Sequence, residues 1–116
     1  AVAGAIAFYP GCRAALRAPF ALAAPLLMLL GADDDWTAPA PCEQLVARTL
    51  QAQPQADVVL KVYPDSVHGF DSQRPVRFRD DVRNGADAAG VHQGGNPQAR
   101  AAAFLEMDQF LGRILR

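Results

Sequence analysis

An α/β fold with parallel strands is the class this sequence predicts. Three apolar runs read as strands, two helical stretches separate and close them, and turn residues punctuate each run. The first run, Val2 to Tyr9, is closed by Pro10-Gly11; the second, Pro25 to Gly31, ends in its own glycine; the third, Asp57 to Tyr63, ends in Pro64-Asp65. Short apolar runs bounded in this way suit strands covered on both faces, the normal condition of a parallel sheet.

Taken in order, the first strand mixes Val, Ile, Phe and Tyr with small residues. The crossover over 10–24 is just long enough for a parallel connection, which needs about a dozen residues or more. The second strand, Leu26-Leu27-Met28-Leu29-Leu30, is apolar without interruption. A helix is predicted over 40–52: Pro39 and Pro41 suit a first turn, Glu43 complements the helix N-terminus, and Cys42, Leu45, Val46, Thr49 and Leu50 form one stripe. Lys61 interrupts the third, β-branched strand and places it nearer a sheet edge. Residues 71–95 show little periodicity and read as an irregular segment, long for a compact domain, with a short helix near Val76–Val82 as one reading. The last helix is predicted over 97–116. Asn96 is its N-cap and Pro97 its first residue, and its buried face holds Phe104, Met107, Leu111 and Leu115 with Ala103, Phe110 and Ile114 beside them. No internal repeat is present, and residues 1–116 read as one domain.

The composition, 51% hydrophobic and 20% charged over 116 residues with a net charge of -1, is that of a globular domain. It lacks the basic excess that nucleic acid or an acidic membrane surface demands. No apolar run reaches the ~20 residues needed to cross a bilayer, and the apolar start lacks the positive lead-in of a signal peptide. Cys12 and Cys42 fit no zinc or thioredoxin-like spacing; they are either free thiols or a pair. Their pairing would argue for an oxidising compartment such as the periplasm, and free thiols for the cytoplasm. The chain opens directly in strand-like sequence without methionine and reads as part of something longer.

Chemistry is expected where the strands end, because open parallel sheets bind ligands outside the carboxyl ends of their strands. The triplet Asp33-Asp34-Asp35 follows the second strand, and His68, in Tyr63-Pro64-Asp65-Ser66-Val67-His68-Gly69-Phe70, follows the third. Adjacent parallel strands would deliver both to one rim. There a carboxylate can fix the imidazole tautomer and stabilise the imidazolium formed when the other ring nitrogen takes a proton. An isolated aspartate in such a turn is ordinarily a solvated helix cap, and an isolated histidine ordinarily packs. Trp36, Phe70 and Tyr9 read as packing residues beside the pair, and His92, in the glycine-rich Ala89-Gly90-Val91-His92-Gln93-Gly94-Gly95, reads as incidental. The runs Arg74–Arg83 and Arg113–Arg116 read as solvated faces.

The stretch Leu29 to Cys42 (LLGADDDWTAPAPC), followed one helix and one strand later by VYPDSVHGF, resembles the C-terminal half of the dienelactone hydrolase family in the α/β-hydrolase superfamily. Aligning Gly31 with that family's glycine-x-x-aspartate turn places the acid at Asp34, with Asp35 one position away as the fallback, and the histidine at His68. The resemblance implies a parallel-strand C-terminal part of an α/β-hydrolase sheet that hydrolyses small-molecule esters or lactones of the dienelactone type. It implies no metal and no organic cofactor. The family's nucleophile, a cysteine or serine in a Gly-x-Cys/Ser-x-Gly elbow, is expected upstream, so that this chain alone is inactive. Cys12 stands in the chain order Cys12, Asp34, His68 expected of such enzymes, but Pro10 and Ala14 replace the flanking glycines. The alternative is a non-catalytic α/β module that binds a partner or self-associates through open strand edges. A homodimer and pairing with an N-terminal half are both partners of that kind.

Overall fold

The computed structural model describes residues 2–86 and 88–116; Ala1, at the start of the apolar lead, and Asp87, within the 71–95 segment, lie outside them. β1 (Ala5–Phe8), β2 (Leu26–Gly31) and β3 (Val58–Tyr63) form a parallel three-stranded sheet in the order β1-β2-β3. α1 (Arg13–Leu16) lies in the first crossover, α2 (Ala40–Ala52) in the second, and α3 (Pro97–Ile114) closes the chain.

The unbroken apolar run of β2 follows from its central place. Leu27 and Leu29 face Phe70 and the α3 residues Ala99, Ala103 and Phe110, while Met28 and Leu30 face Cys12, Cys42 and Leu45 on the other side. Both parities of the strand are buried, so neither tolerates a polar residue. Removing each of these leucines from water contributes roughly 2 kcal/mol. β3 is the terminal strand of this sheet, and its Lys61 extends from it to Glu106 of α3 at 3.6 Å. The rim formed by Gly31 and Tyr63, partners in register at the carboxyl ends of β2 and β3, carries the site.

The two long helices begin where the sequence places them. Pro39 precedes α2, and Glu43 sits in its first turn. The Thr49 hydroxyl donates to the Leu45 carbonyl at 2.7 Å, which lets a polar side chain lie in the buried stripe. Asn96 caps α3 by accepting from the backbone N–H groups of Gln98 and Ala99, both at 3.1 Å. The buried face of α3 holds the expected Ala103, Met107, Phe110 and Ile114 and departs from expectation at Ala99, Phe104 and Leu115. Ala99, Ala103 and Phe110 are buried with Met107 and Ile114 beside them, whereas Leu115 is exposed and Phe104 lies at the surface beneath the Arg100 guanidinium, 4.6 Å from its ring centroid. Small alanines let the helix axis approach the sheet, and that rotates the bulkier Phe104 outward.

The largest departure is the 71–95 segment. In place of an irregular loop with a short helix near Val76–Val82, β4 (Arg77–Arg83) and β5 (Ala89–Gln93) form an antiparallel hairpin. A register irregularity between Arg79 and Arg83 disturbs the alternation of β4, which hides its period of two. The Asn84-Gly85 dipeptide, at the start of the connection over 84–88, is the missed turn signal, since Asn and Gly both favour turns. The Asn84 side chain accepts from the Ala86 and Ala88 N–H groups, and its own N–H donates to the Ala88 carbonyl at 2.7 Å. Gly90 (φ 116) occupies backbone space open mainly to glycine and leaves room for the Phe78 ring across the ladder.

Cys12 and Cys42 form a disulfide, with Cα atoms 5.0 Å apart and a sequence separation of 30. It ties the exit of β1 to the first turn of α2. Closing a loop of that length stabilises by about 3–4 kcal/mol in the chain-entropy account.

Candidate active site

The turn after β2 gives its three aspartates three different environments. Gly31 packs so closely on the Ser66 carbonyl that a Cβ would collide with it, and Asp33 N–H donates to that same carbonyl at 2.9 Å. Ala32 N–H donates to the Tyr63 carbonyl at 2.8 Å. These contacts lock the acidic turn to the loop carrying the histidine. Asp33 then faces solvent, Asp34 is buried at 4% exposure, and Asp35 is half-buried.

Asp34 is held from both sides. Its Oδ1 accepts the backbone N–H groups of Trp36 at 2.9 Å and Thr37 at 2.8 Å, and its Oδ2 lies 3.0 Å from His68 Nδ1. A carboxylate only accepts, so the proton of this bond sits on His68 Nδ1, and in the neutral ring Nε2 is left as the basic nitrogen. The described residues place no hydrogen-bond partner on Nε2. The imidazole lies between two aromatic rings, Tyr9 at 4.3 Å and Trp36 at 4.5 Å between centroids, which restrict its rotation.

Thr37 is a site residue that the sequence reading passed over. Its Oγ1 lies 2.9 Å from the Tyr9 carbonyl, 3.2 Å from Asp34 Oδ2 and 3.1 Å from His68 Nδ1. The hydroxyl therefore links the end of β1, the acid and the imidazole. Its signal was available: a threonine three residues after an aspartate in a turn is a common local hydrogen-bonding pattern. Tyr9 itself adopts φ 39, an uncommon conformation for a non-glycine residue, and this brings both its carbonyl and its ring to the site. Burial, reinforced by donation to Asp71 Oδ1 at 3.0 Å, pushes the Tyr9 phenol up to about 12. It stays protonated at neutral pH and acts as a fixed donor to Asp71.

Neither His92 nor Asp35 is a bystander. His92 lies in β5, not in an irregular loop; its Nδ1 is 2.7 Å from Asp35 Oδ2, and its backbone N–H donates to Asp35 Oδ1 at 2.9 Å. Partial burial pushes the Asp35 carboxyl up, but the His92 ring and backbone donors outweigh it and hold Asp35 below the usual carboxylate range. The structure therefore contains two neighbouring Asp–His pairs, one built from the expected residues and one from the fallback acid and the discounted histidine. Cys12, the alternative nucleophile by chain order, has its sulfur engaged in the disulfide and so offers no thiolate.

A cavity of about 320 Å³ opens beside the histidine loop, lined by Tyr9, Gly69, Arg74, Arg77 and Gln93 among others. This volume lies in the range of small-molecule sites. Among the described residues no group of three or more His, Cys, Asp or Glu side chains is placed to hold a metal ion, and no helix is long and apolar enough to cross a membrane.

The family model described as Dienelactone hydrolase family matches residues 1–115. Searches of curated proteins and of solved structures return no match. Its match spans nearly the whole chain, so the chain belongs to the dienelactone hydrolase family; its fold is α/β, of the α/β-hydrolase kind, and its function is of the hydrolase type.

Proposed function

We propose, with membership of the dienelactone hydrolase family as the premise, that this chain supplies the acid and the base of an ester- or lactone-hydrolysing site. His68 is the general base, Asp34 orients it, and the nucleophile is a serine or cysteine contributed by sequence upstream of these residues. The observation that carries this reading is the Asp34 Oδ2 to His68 Nδ1 approach of 3.0 Å, with Nε2 uncommitted.

In the proposed reaction Nε2 removes the proton from the nucleophile as its oxygen or sulfur attacks the ester carbonyl. The imidazolium is stabilised by the Asp34 carboxylate, which keeps its negative charge throughout. Nε2 then returns the proton to the leaving alkoxide and an acyl-enzyme remains. Water repeats the sequence: His68 takes its proton, the hydroxide attacks the acyl carbonyl, and the nucleophile leaves with that proton. Arg74 and Arg77 on the cavity wall supply positive charge suited to the carboxylate of a dienelactone-type substrate. Neither serine within the chain is suitably engaged for attack: the Ser66 hydroxyl is buried and donates to the Pro64 carbonyl, and Ser72 Oγ accepts from the Arg74 N–H. The outer side of β1, terminal in its sheet among the described residues, is where an upstream strand carrying the nucleophile would join. The Cys12–Cys42 bond supports an oxidising compartment for this protein over the cytoplasm.

The test is turnover of a p-nitrophenyl ester by full-length protein with and without His68→Ala. A loss of nearly all turnover with the fold retained is expected. Undiminished turnover would remove His68 from the mechanism.

A further inference from the structure

We infer that the Asp35–His92 pair is a positioning clamp that sets the approach of His68 to Asp34. Asp35 directly follows Asp34, and His92 directly precedes Gln93, which forms an isolated parallel bridge with His68. The His68 carbonyl accepts the Gly94 N–H at 3.0 Å, so the backbone on the histidine side is carried by the end of β5. On the acid side, Asp35 accepts the His92 N–H at 2.9 Å and approaches His92 Nδ1 at 2.7 Å, while its own carbonyl accepts the Gly85 N–H at 3.1 Å from the hairpin turn. The path Asp34, Asp35, His92, Gln93, Gly94, His68 and back to Asp34 is a closed ring, with peptide bonds from Asp34 to Asp35 and from His92 through Gln93 to Gly94, and hydrogen bonds joining Asp35 to His92, Gly94 to His68 and His68 to Asp34.

A ring of this kind gives His92 a job that packing alone would not. The backbone hydrogen bonds between the acidic turn and the histidine loop reach only as far as Ser66, whose carbonyl accepts the Asp33 N–H; beyond it the two loops meet through the side chains of Asp34, Trp36 and Thr37 on His68. Two residues farther on, His68 depends on β5 for its backbone partner. The hairpin in turn reaches the acidic turn through the Asp35 side chain and carbonyl. Breaking the second pair leaves β5 anchored to the histidine and tied to the acidic turn through backbone donors alone, and the separation of Asp34 and His68 is then held less tightly. Small losses of alignment between catalytic groups cost rate far more than they cost stability. Asp35 and His92 touch no reacting atom in this scheme; they act through the first pair. The hydrolase reading enters only through the kinetic consequence of the clamp, not through its geometry.

The experiment is proton NMR of the His68 ring in full-length protein, following the downfield Nδ1 proton and its exchange with solvent. His92→Ala is expected to broaden or abolish that resonance with circular dichroism unchanged, and His92→Gln, whose amide can still donate to Asp35, to restore it in part. With ester substrate, kcat is expected to fall about tenfold for His92→Ala while KM stays within about twofold. Should His92→Ala fail to fold, Asp35→Asn decides, because it keeps an acceptor for the His92 N–H and removes the charge; partial loss of the resonance is expected. A native His68 resonance in the folded His92→Ala protein, or in Asp35→Asn where the first variant does not fold, overturns the clamp. Absence of turnover with the resonance responding as expected would count against the hydrolase reading and leave the clamp standing.

Discussion

Two Asp–His pairs built from consecutive aspartates occupy contrasting surroundings. At Asp34–His68 the carboxylate side chain is fully buried and the imidazole 16% exposed, whereas at Asp35–His92 the corresponding exposures are 35% and 49%. The outer pair is the shorter of the two, 2.7 Å against 3.0 Å. Hydrogen-bond length therefore does not single out the pair proposed to act in catalysis. What distinguishes Asp34–His68 is enclosure: two backbone donors on the acid, the Tyr9 and Trp36 rings against the imidazole, and an Nε2 without a hydrogen-bond partner among the described residues. Against the outer imidazole the described residues place one aromatic ring, Phe78, 5.2 Å between centroids.

Substitution of the two histidines should separate the pairs strongly. His68→Ala is expected to lower kcat/KM for a p-nitrophenyl ester by about 10³-fold or more, the scale of a lost general base, against about tenfold for His92→Ala. Equal losses would erase the distinction. The acids should separate in the same direction: Asp34→Asn lowers kcat by up to about 10⁴-fold, because an amide presents the wrong group to Nδ1–H, while Asp35→Asn costs no more than about fivefold. Steady-state rates measured for both variants would show whether one carboxylate dominates.

Thr37 offers a finer probe of the inner pair. Thr37→Val removes the hydroxyl joining Tyr9, Asp34 and His68, and an unpaired buried acceptor costs about 1–2 kcal/mol, which urea unfolding would read as a lower midpoint. Thr37→Ser should recover most of it. The smallest effect concerns the outer pair and acid. Because the folded-state value of Asp35 lies below its unfolded one, its contribution is fully present above the ordinary carboxylate value of about 3.9 and is lost as pH falls below it. Asp35→Asn should thus flatten the acid limb of stability against pH below about 4, leaving the neutral region little changed. A thermal melt series from pH 6 to pH 2 would show whether the two limbs differ.

The parallel sheet and its helices were readable because their causes are local. Uninterrupted Leu26–Leu30 can only lie between two covered faces, and Asn96-Pro97 can hardly begin anything other than a helix. The family relationship was readable for a similar reason, since Gly31, the aspartates and His68-Gly69-Phe70 stand in order on those elements. The hairpin was not. Its irregular register masks alternation, its charged residues suggest a solvated surface, and Asn84-Gly85 lies in a segment without clear periodicity on either side. The face of α3 was read correctly at Ala103, Met107, Phe110 and Ile114 but not at its margins: periodicity marks the apolar residues of a helix, while how closely the axis approaches the sheet decides whether Ala99 or Phe104 turns inward.

From the sequence alone came the strands, the two long helices, the rim on which Asp34 and His68 stand and the family they indicate, because each depends on residues adjacent in the chain or on a short period. Tertiary structure alone decided that Cys12 meets Cys42, that Thr37 completes the inner site, and that Asp35 reaches His92 across 57 residues of chain. Such meetings depend on how separate elements close on one another, and no local pattern of residue types encodes the distance between two loops.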